Sequence, residues 1–89
     1  MKRNNYQWSF EGICPVNRRS DKYFATIEVV NGFVQVEDLL EFCEKAGDVP
    51  MFQEEWAKLL HKKFGGKVTL IGHHKGGVRI ESVVDGEEQ

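Results

Sequence analysis

The sequence lacks the features that define several large classes of protein. It has only two cysteines in 89 residues, Cys14 and Cys43, which is too few for a disulfide framework. It has neither a long apolar run nor a signal-peptide pattern. Its formal net charge is −2, whereas a dedicated nucleic-acid-binding domain is strongly basic. We therefore expect a cytoplasmic protein with reduced thiols and no membrane segment, in which any basic patch is local.

The length of the chain limits it to one domain with a modest core. A chain of this size buries about 60 to 65% of its unfolded surface, so contacts between subunits are a source of further burial. We expect residues 7–84 to form the domain and the protein to assemble as a homo-oligomer. Residues 1–6 are predicted to form a flexible N-terminus, and residues 85–89 an acidic tail without an apolar anchor.

Alternation of apolar and polar residues predicts four strands. They are Gln7–Cys14, Lys22–Val30, Lys67–His73 and Val78–Val84. The loop between the first two strands is short, which favours an antiparallel pair, because parallel strands need a crossover of about a dozen residues or more. Lys75-Gly76-Gly77 supplies the turn of the last hairpin.

Between the two hairpins, apolar residues recur at helical spacing in two stretches. The first helix places Val36, Leu39, Leu40, Cys43 and Ala46 on one face and ends at Gly47. The second helix has start signals at Asp48 and Pro50 and ends at Gly65-Gly66. Because Cys43 lies on the apolar face of the first helix, we interpret it as a core residue without chemistry.

The element order ββααββ predicts an α+β domain, in which two helices pack on one face of a four-stranded antiparallel sheet. The strands have apolar residues on both sides, as Leu70 and Ile71 show. The face away from the helices is therefore expected to pack against a neighbouring subunit. Sheets joined edge to edge into a barrel would remove the exposed edges and place the ligand site between subunits.

A thiol and a carboxylate lie seven residues apart in the segment from Cys14 to Asp21. Because proline disfavours the α region for the residue before it, Pro15 holds Cys14 at an extended strand end, which suits a nucleophile. The alternative is a half-buried cysteine followed by an ordinary turn, since cysteine commonly acts as a small hydrophobic residue.

The three histidines do not predict a metal site. His73 and His74 are adjacent on a predicted strand, so they point to opposite faces of the sheet. A zinc site would need a third ligand, and His61 lies in a helix with Lys62 and Lys63 beside it.

Three local sequences resemble the 7-cyano-7-deazaguanine reductases (QueF), a group with the tunnelling fold. Cys14-Pro15 with Asp21, continuing through Phe24-Ala25-Thr26-Ile27, is similar to the catalytic stretch of that group. Phe52-Gln53-Glu54-Glu55 resembles its Phe-His-Glu-Asp ligand motif, and Gly72 with Lys75-Gly76-Gly77-Val78 resembles its glycine-rich turn. The resemblance implies a tunnelling fold and a pentameric or decameric assembly.

The resemblance also implies roles for five residues. Cys14 would attack the nitrile carbon of 7-cyano-7-deazaguanine as a thiolate to give a covalent thioimide, and Asp21 would move protons nearby. Glu54 would accept hydrogen bonds from the N–H edge of the base, which suits a carboxylate because it only accepts. Phe52 would offer a stacking surface, and Gln53 completes the substrate-binding motif.

Two departures from the reductase pattern change the expected reaction. The first helix reads Val36-Glu37-Asp38-Leu39-Leu40-Glu41-Phe42, where the reductases carry a lysine-rich NADPH motif. This resembles the QueF-like proteins, a non-reducing branch that adds ammonia to the nitrile on tRNA and forms the amidine of archaeosine. Gln53 in place of the motif's histidine removes a titratable group from the pocket.

The expected function is therefore that of an archaeosine-type amidinotransferase, which needs ammonia and no cofactor and acts on a deazaguanine base, free or in tRNA. Arg18, Arg19 and Lys22 would contact tRNA phosphates, although ordinary solvated side chains explain them equally well. Two alternatives stay open: an NADPH-dependent nitrile reductase of queuosine biosynthesis, and a non-catalytic module that binds a deazapurine or a pterin.

Overall fold

A computed structural model describes residues 2–86 and shows the order ββααββ. The elements are β1 (Arg3–Ile13), β2 (Ser20–Val30), α1 (Val36–Ala46), α2 (Gln53–Phe64), β3 (Lys67–His73) and β4 (Arg79–Val84). A 3-10 turn over Lys75–Gly77 joins β3 to β4. The strands lie in the order β1-β2-β3-β4, and each neighbouring pair is antiparallel. The predicted α+β architecture is confirmed.

The core lies between one face of the sheet and the two helices. From the sheet, it takes alternate residues of β2 and β3, which are Tyr23, Ala25, Ile27, Val68 and Leu70. From the helices, it takes Leu39, Cys43, Trp56, Ala57 and Leu60. The interpretation of Cys43 as a core residue is confirmed, and burial raises the pKa of its thiol. Cys43 is therefore a poor nucleophile.

The first strand begins earlier than the sequence predicted. Residues 3–6 were expected in a flexible N-terminus, but they pair with residues 27–30 of β2. The Tyr6 hydroxyl also accepts a hydrogen bond from the Val34 amide at 2.9 Å. The polar residues here show no apolar alternation, and the partner strand supplies the hydrogen bonds that hold them. The last three residues of the predicted acidic tail lie outside the described residues.

The second helix begins later than predicted. α2 starts at Gln53, so Asp48 and Pro50 lie in the connection between the helices and not in its first turn. The Phe52 amide precedes the helix and donates to the Glu55 carboxylate at 2.8 Å. The Met51 amide donates to the Ile13 carbonyl at 3.0 Å, which ties this connection to the end of β1. Neither α1 nor α2 is long and apolar enough to cross a membrane.

The opposite face of the sheet is uncovered within residues 2–86. Phe24, Val30 and Val83 are 44%, 47% and 52% exposed on it. Exposed apolar side chains gathered on one face are typical of a surface that contacts another protein. The barrel of subunits stays a prediction.

Candidate active site

The register of the sheet places Cys14 and Asp21 at the same end and on the helix-facing side. Gly12 pairs with Asp21, and alternate residues of a strand share a face, so Cys14 follows Gly12 to this side. The turn that follows is closed by two backbone hydrogen bonds of 2.9 Å, from Cys14 N–H to the Arg19 carbonyl and from Arg18 N–H to the Cys14 carbonyl. Cys14 therefore lies at an ordered strand end.

A cavity of about 220 Å³ opens at this end of the sheet. All five residues that the sequence predicted for the site line it: Cys14, Asp21, Phe52, Gln53 and Glu54. Its wall also contains Tyr23 and His74, which the sequence did not suggest, and the apolar side chains of Pro15, Met51 and Ile80. β1, β2, α2 and the two turns of the sheet thus converge on a thiol, two carboxylates and an imidazole.

Gln53 is a buried polar residue that joins α2 to the sheet. Its side chain is 3% exposed, and Nε2 donates to the carbonyls of Leu70 and Ile80, at 2.9 Å each. Its Oε1 lies 2.7 Å from Nε2 of His74. Since both ends of the amide already have partners in the chain, Gln53 organises the wall of the cavity.

His74 is a polar residue of the cavity wall that the sequence did not indicate. Its Nδ1 lies 3.2 Å from Oδ2 of Asp21, and the two side chains are only 22% and 12% exposed. From the sequence, the two adjacent histidines are weighed only as metal ligands. The alternation of β3 predicts the side on which His74 lies. Val68 and Leu70 face the core, and His74 follows them at even spacing, so it lies on the same side. The pocket therefore keeps a histidine although position 53 is glutamine.

Tyr23 lies beneath the cavity and keeps its phenol protonated. Burial, with smaller contributions from the charges of Asp21, Cys14 and Glu54, raises the pKa of Tyr23 to about 12. The phenol is therefore a neutral hydrogen-bonding group over the whole range in which the protein would work. It adds no charge to a site that already holds two carboxylates.

This shift predicts a specific loss of stability at high pH. The phenol of an unfolded chain ionises near pH 10.0, whereas folded Tyr23 keeps its proton until about pH 12. The contribution is fully present below pH 10 and is lost as the pH rises through 12, by roughly 2 to 3 kcal/mol. Urea denaturation at pH 9 and pH 12 should show a smaller loss for Tyr23→Phe than for the wild type.

Tyr6→Phe is the comparison, because it removes the only other phenol of the chain. Absorbance titration of the phenolate should lose its late-titrating component in Tyr23→Phe and keep it in Tyr6→Phe. An equal pH-dependent loss of stability in Tyr23→Phe and wild type would show that the site does not hold this phenol neutral.

A larger open groove lies between β1 and α1 and holds none of the predicted site residues. Its volume is about 470 Å³, and its lining includes Trp8, Leu40 and Cys43. Although the groove is larger than the cavity, it is the poorer candidate for a site of thiol chemistry. Its cysteine, Cys43, is buried and has a raised thiol pKa, whereas Cys14 in the cavity is partly exposed. Within residues 2–86, no three His, Cys, Asp or Glu side chains form a group that would hold a metal ion.

Comparison with solved structures supports the fold that the sequence predicts. No family model matches the sequence, and no curated protein matches it. Among solved structures, the chain is similar to the crystal structure of the archaeosine synthase QueF-Like in the apo form. The identity is 18%, the match covers 98% of this chain and 96% of that chain, and the TM-score is 0.79. The protein thus has the fold of that synthase, which confirms the predicted tunnelling fold.

Proposed function

We propose that this protein captures the nitrile of a 7-cyano-7-deazaguanine base on Cys14 and adds ammonia to form an amidine. It would then be an archaeosine-type amidinotransferase of the kind that modifies tRNA. The observation that carries the proposal is the convergence of Cys14, Asp21 and Glu54 on one cavity. The structural likeness to an archaeosine synthase supports the choice of substrate class.

The residues of the cavity fit the two steps of such a reaction. The Cys14 thiolate donates an electron pair to the nitrile carbon, a carbon–nitrogen π pair moves to nitrogen, and a proton from the side of Asp21 completes a neutral thioimide. Ammonia then adds to the same carbon, the sulfur leaves as thiolate, and an amidine remains. Asp21 and the histidine that contacts it are placed to give and take these protons.

The start of α2 fits the recognition of the base. Glu54 lies in the first turn of the helix, where the partial positive charge of the helix favours an anionic carboxylate. A carboxylate accepts the several N–H groups on the guanine-like edge of the ligand. Phe52 is 50% exposed beside it and provides the stacking surface.

The size of the cavity supports the proposal that a second subunit completes the site. Its 220 Å³ is below the range of about 300 to 1,000 Å³ that small-molecule sites usually have. Phe52 and Ile80 lie in its wall, yet they are 50% and 41% exposed. A neighbouring subunit of a pentamer or decamer would cover them and enclose the base.

Two features favour amidine formation on tRNA over reduction of the free base. The first turn of α1 carries Glu37 and Asp38, whose charges would repel the phosphates of NADPH. Arg18 and Arg19 are exposed in the turn beside the cavity, where they can contact the phosphates of a tRNA.

Intact-mass measurement tests the proposed function. The protein is mixed with free 7-cyano-7-deazaguanine and, separately, with tRNA that carries this base. We expect a covalent adduct with the mass of the complete ligand, because addition to a nitrile expels nothing. Ammonium salts should then discharge the adduct and release the amidine, while NADPH should be neither consumed nor required.

Each other outcome has a defined meaning. An adduct that forms only with tRNA identifies the nucleic acid as the substrate, and consumption of NADPH with formation of an aminomethyl product identifies the reductase. The absence of an adduct with either ligand would overturn the enzymatic proposal and leave the binding module.

A further inference from the structure

Two backbone carbonyls fix the orientation of the Gln53 side-chain amide. Its Nε2 lies 2.9 Å from the carbonyl oxygens of Leu70 and Ile80, and because a carbonyl oxygen only accepts, the amide nitrogen must face them. Oε1 therefore faces the His74 ring, 2.7 Å from its Nε2. An amide oxygen also only accepts, so Nε2 of His74 must carry a proton. The sheet thus selects the tautomer of His74 through Gln53.

The other ring nitrogen of His74 faces a carboxyl group. Nδ1 lies 3.2 Å from Oδ2 of Asp21. With the first proton on Nε2, the Nδ1 of a neutral ring is a bare acceptor, and an ionised carboxylate has no proton to donate. The contact becomes a hydrogen bond only when one further proton lies between the two groups. The pair is then imidazolium with carboxylate, or imidazole with carboxylic acid.

We infer that His74 is a positioning residue that keeps a transferable proton on the Asp21 side of the cavity, where Asp21 delivers it to the nitrile nitrogen. The delivery step rests on the proposed function, whereas the protonation state of the pair does not. Gln53 is the second part of this device, because its fixed amide blocks the tautomer that would put the ring's own proton on Nδ1.

The addition of Cys14 to the nitrile is balanced in protons and electrons. The Cys14 thiol releases its proton to water as it ionises, and its sulfur forms a bond with the nitrile carbon. The nitrile nitrogen gains an electron pair from the broken π bond and takes the proton held between Asp21 and His74. The imidazole and carboxylate that remain recover one proton from water. The net reaction is addition of S–H across the carbon–nitrogen bond, without an oxidant or a reductant.

The titratable groups that face the pair come from three elements. Cys14 follows β1, Tyr23 lies on β2, and Glu54 lies on α2, while β4 contributes the apolar Ile80 and the Ser82 hydroxyl, 3.2 Å from Nε2 of Gln53. Because the pKa of Tyr23 is raised to about 12, its phenol is a weak acid for this step at neutral pH. The Asp21–His74 pair is therefore the source that the geometry favours.

Nitrogen NMR of the histidine rings tests the protonation state without any ligand. At neutral pH, the signals of His74, identified by their loss in His74→Asn, should show a proton on Nε2 in wild type and in Asp21→Asn. A further hydrogen-bonded proton signal should appear in wild type and be lost in Asp21→Asn. A ring with a bare Nε2, or no difference between the two proteins, would overturn the inference.

Adduct kinetics test the role of the pair in the reaction. For His74→Ala, we expect the capture rate at saturating nitrile to fall about 10- to 100-fold, with the Kd of the nitrile unchanged. Added imidazole should restore part of the rate. His74→Asn serves if the alanine variant does not fold, because it keeps a donor for Gln53 but presents no ring nitrogen to Asp21.

His73→Ala is the matched control, because its ring lies on the other face of the sheet, against Phe24. Its capture rate should equal that of the wild type. If the wild type captures the nitrile and His74→Ala captures it equally fast, the role of His74 is wrong while the proposed function stands. A parallel loss of rate and nitrile affinity without rescue by imidazole would also overturn it. If wild type forms no adduct, the proposed function fails, and the NMR result still decides the state of the pair.

Discussion

Cys14→Ala is expected to abolish covalent capture of the nitrile and to lower turnover by at least about 10⁴-fold, since catalysis through a covalent intermediate cannot proceed without the nucleophile. Within residues 2–86, the only other thiol is Cys43, which is 6% exposed and has a raised pKa because of its burial. Neither access nor ionisation lets Cys43 replace Cys14. Intact mass after incubation with the nitrile measures the result directly.

Cys43→Ala is the matched control for this prediction. It removes the buried thiol from the face of α1 that packs on the sheet, so it should cost about 1 kcal/mol or slightly more in stability. Its adduct yield should nevertheless equal that of the wild type, and proteolysis should map the added mass to the peptide that contains Cys14. An adduct on Cys14→Ala, or one mapped to Cys43, would disprove the assignment of the nucleophile.

The sequence predicted the elements and the main site residues because both depend on local patterns. Period-two alternation located β3 and helical spacing located α1 at their observed bounds, and alternation located β2 with an error of two residues at its start. Cys14, Asp21 and Glu54 each belong to a short motif, so their positions could be read without knowledge of the fold. That these three residues line one cavity was implied by the resemblance to the reductases, whereas the local patterns alone did not bring Glu54 to Cys14 and Asp21.

The features that the sequence did not reveal depend on contacts between distant segments. α2 starts at Gln53, just after Met51 donates a hydrogen bond to the end of β1, and the local start signals at Asp48 and Pro50 lie outside the helix. The contact between Asp21 and His74 requires the register of β2 on β3. Two helices separate these strands in sequence, so no local pattern specifies that register.

The orientation of Gln53 belongs to the same group of non-local features. Glutamine at a motif position suggested the loss of a titratable group, because its partners on β3 and β4 were not visible in the sequence. In the fold, its amide contacts the imidazole of His74, which lies in the turn after β3. A substitution within a motif is therefore judged correctly only together with the residues that pack against it.

Gly72→Ala is expected to damage stability and capture together, because the site leaves no room for a side chain at this position. A Cβ atom on Gly72 would lie 2.7 Å from Cε1 of Tyr23 and 2.8 Å from Nε2 of His74, and it would also meet Oε1 of Gln53. Carbon atoms do not approach so closely, so one of these groups must move. Tyr23 is buried and Gln53 is held by two carbonyls, which leaves neither free to do so.

The expected cost is about 1 to 3 kcal/mol of unfolding free energy, as for other overpacked sites, and a capture rate at least about 10-fold lower, because His74 is displaced from Asp21. Urea denaturation and the rate of adduct formation measure the two effects.

Ile71→Ala is the control: it changes the neighbouring residue of β3, whose side chain points to the other face of the sheet. It should lose some stability as any partly buried aliphatic residue does, yet its folded form should capture the nitrile at the wild-type rate. If Gly72→Ala matched the wild type in both measurements, the close packing of Tyr23, Gln53 and His74 around Gly72 would be wrong, and with it the basis for a proton held between His74 and Asp21.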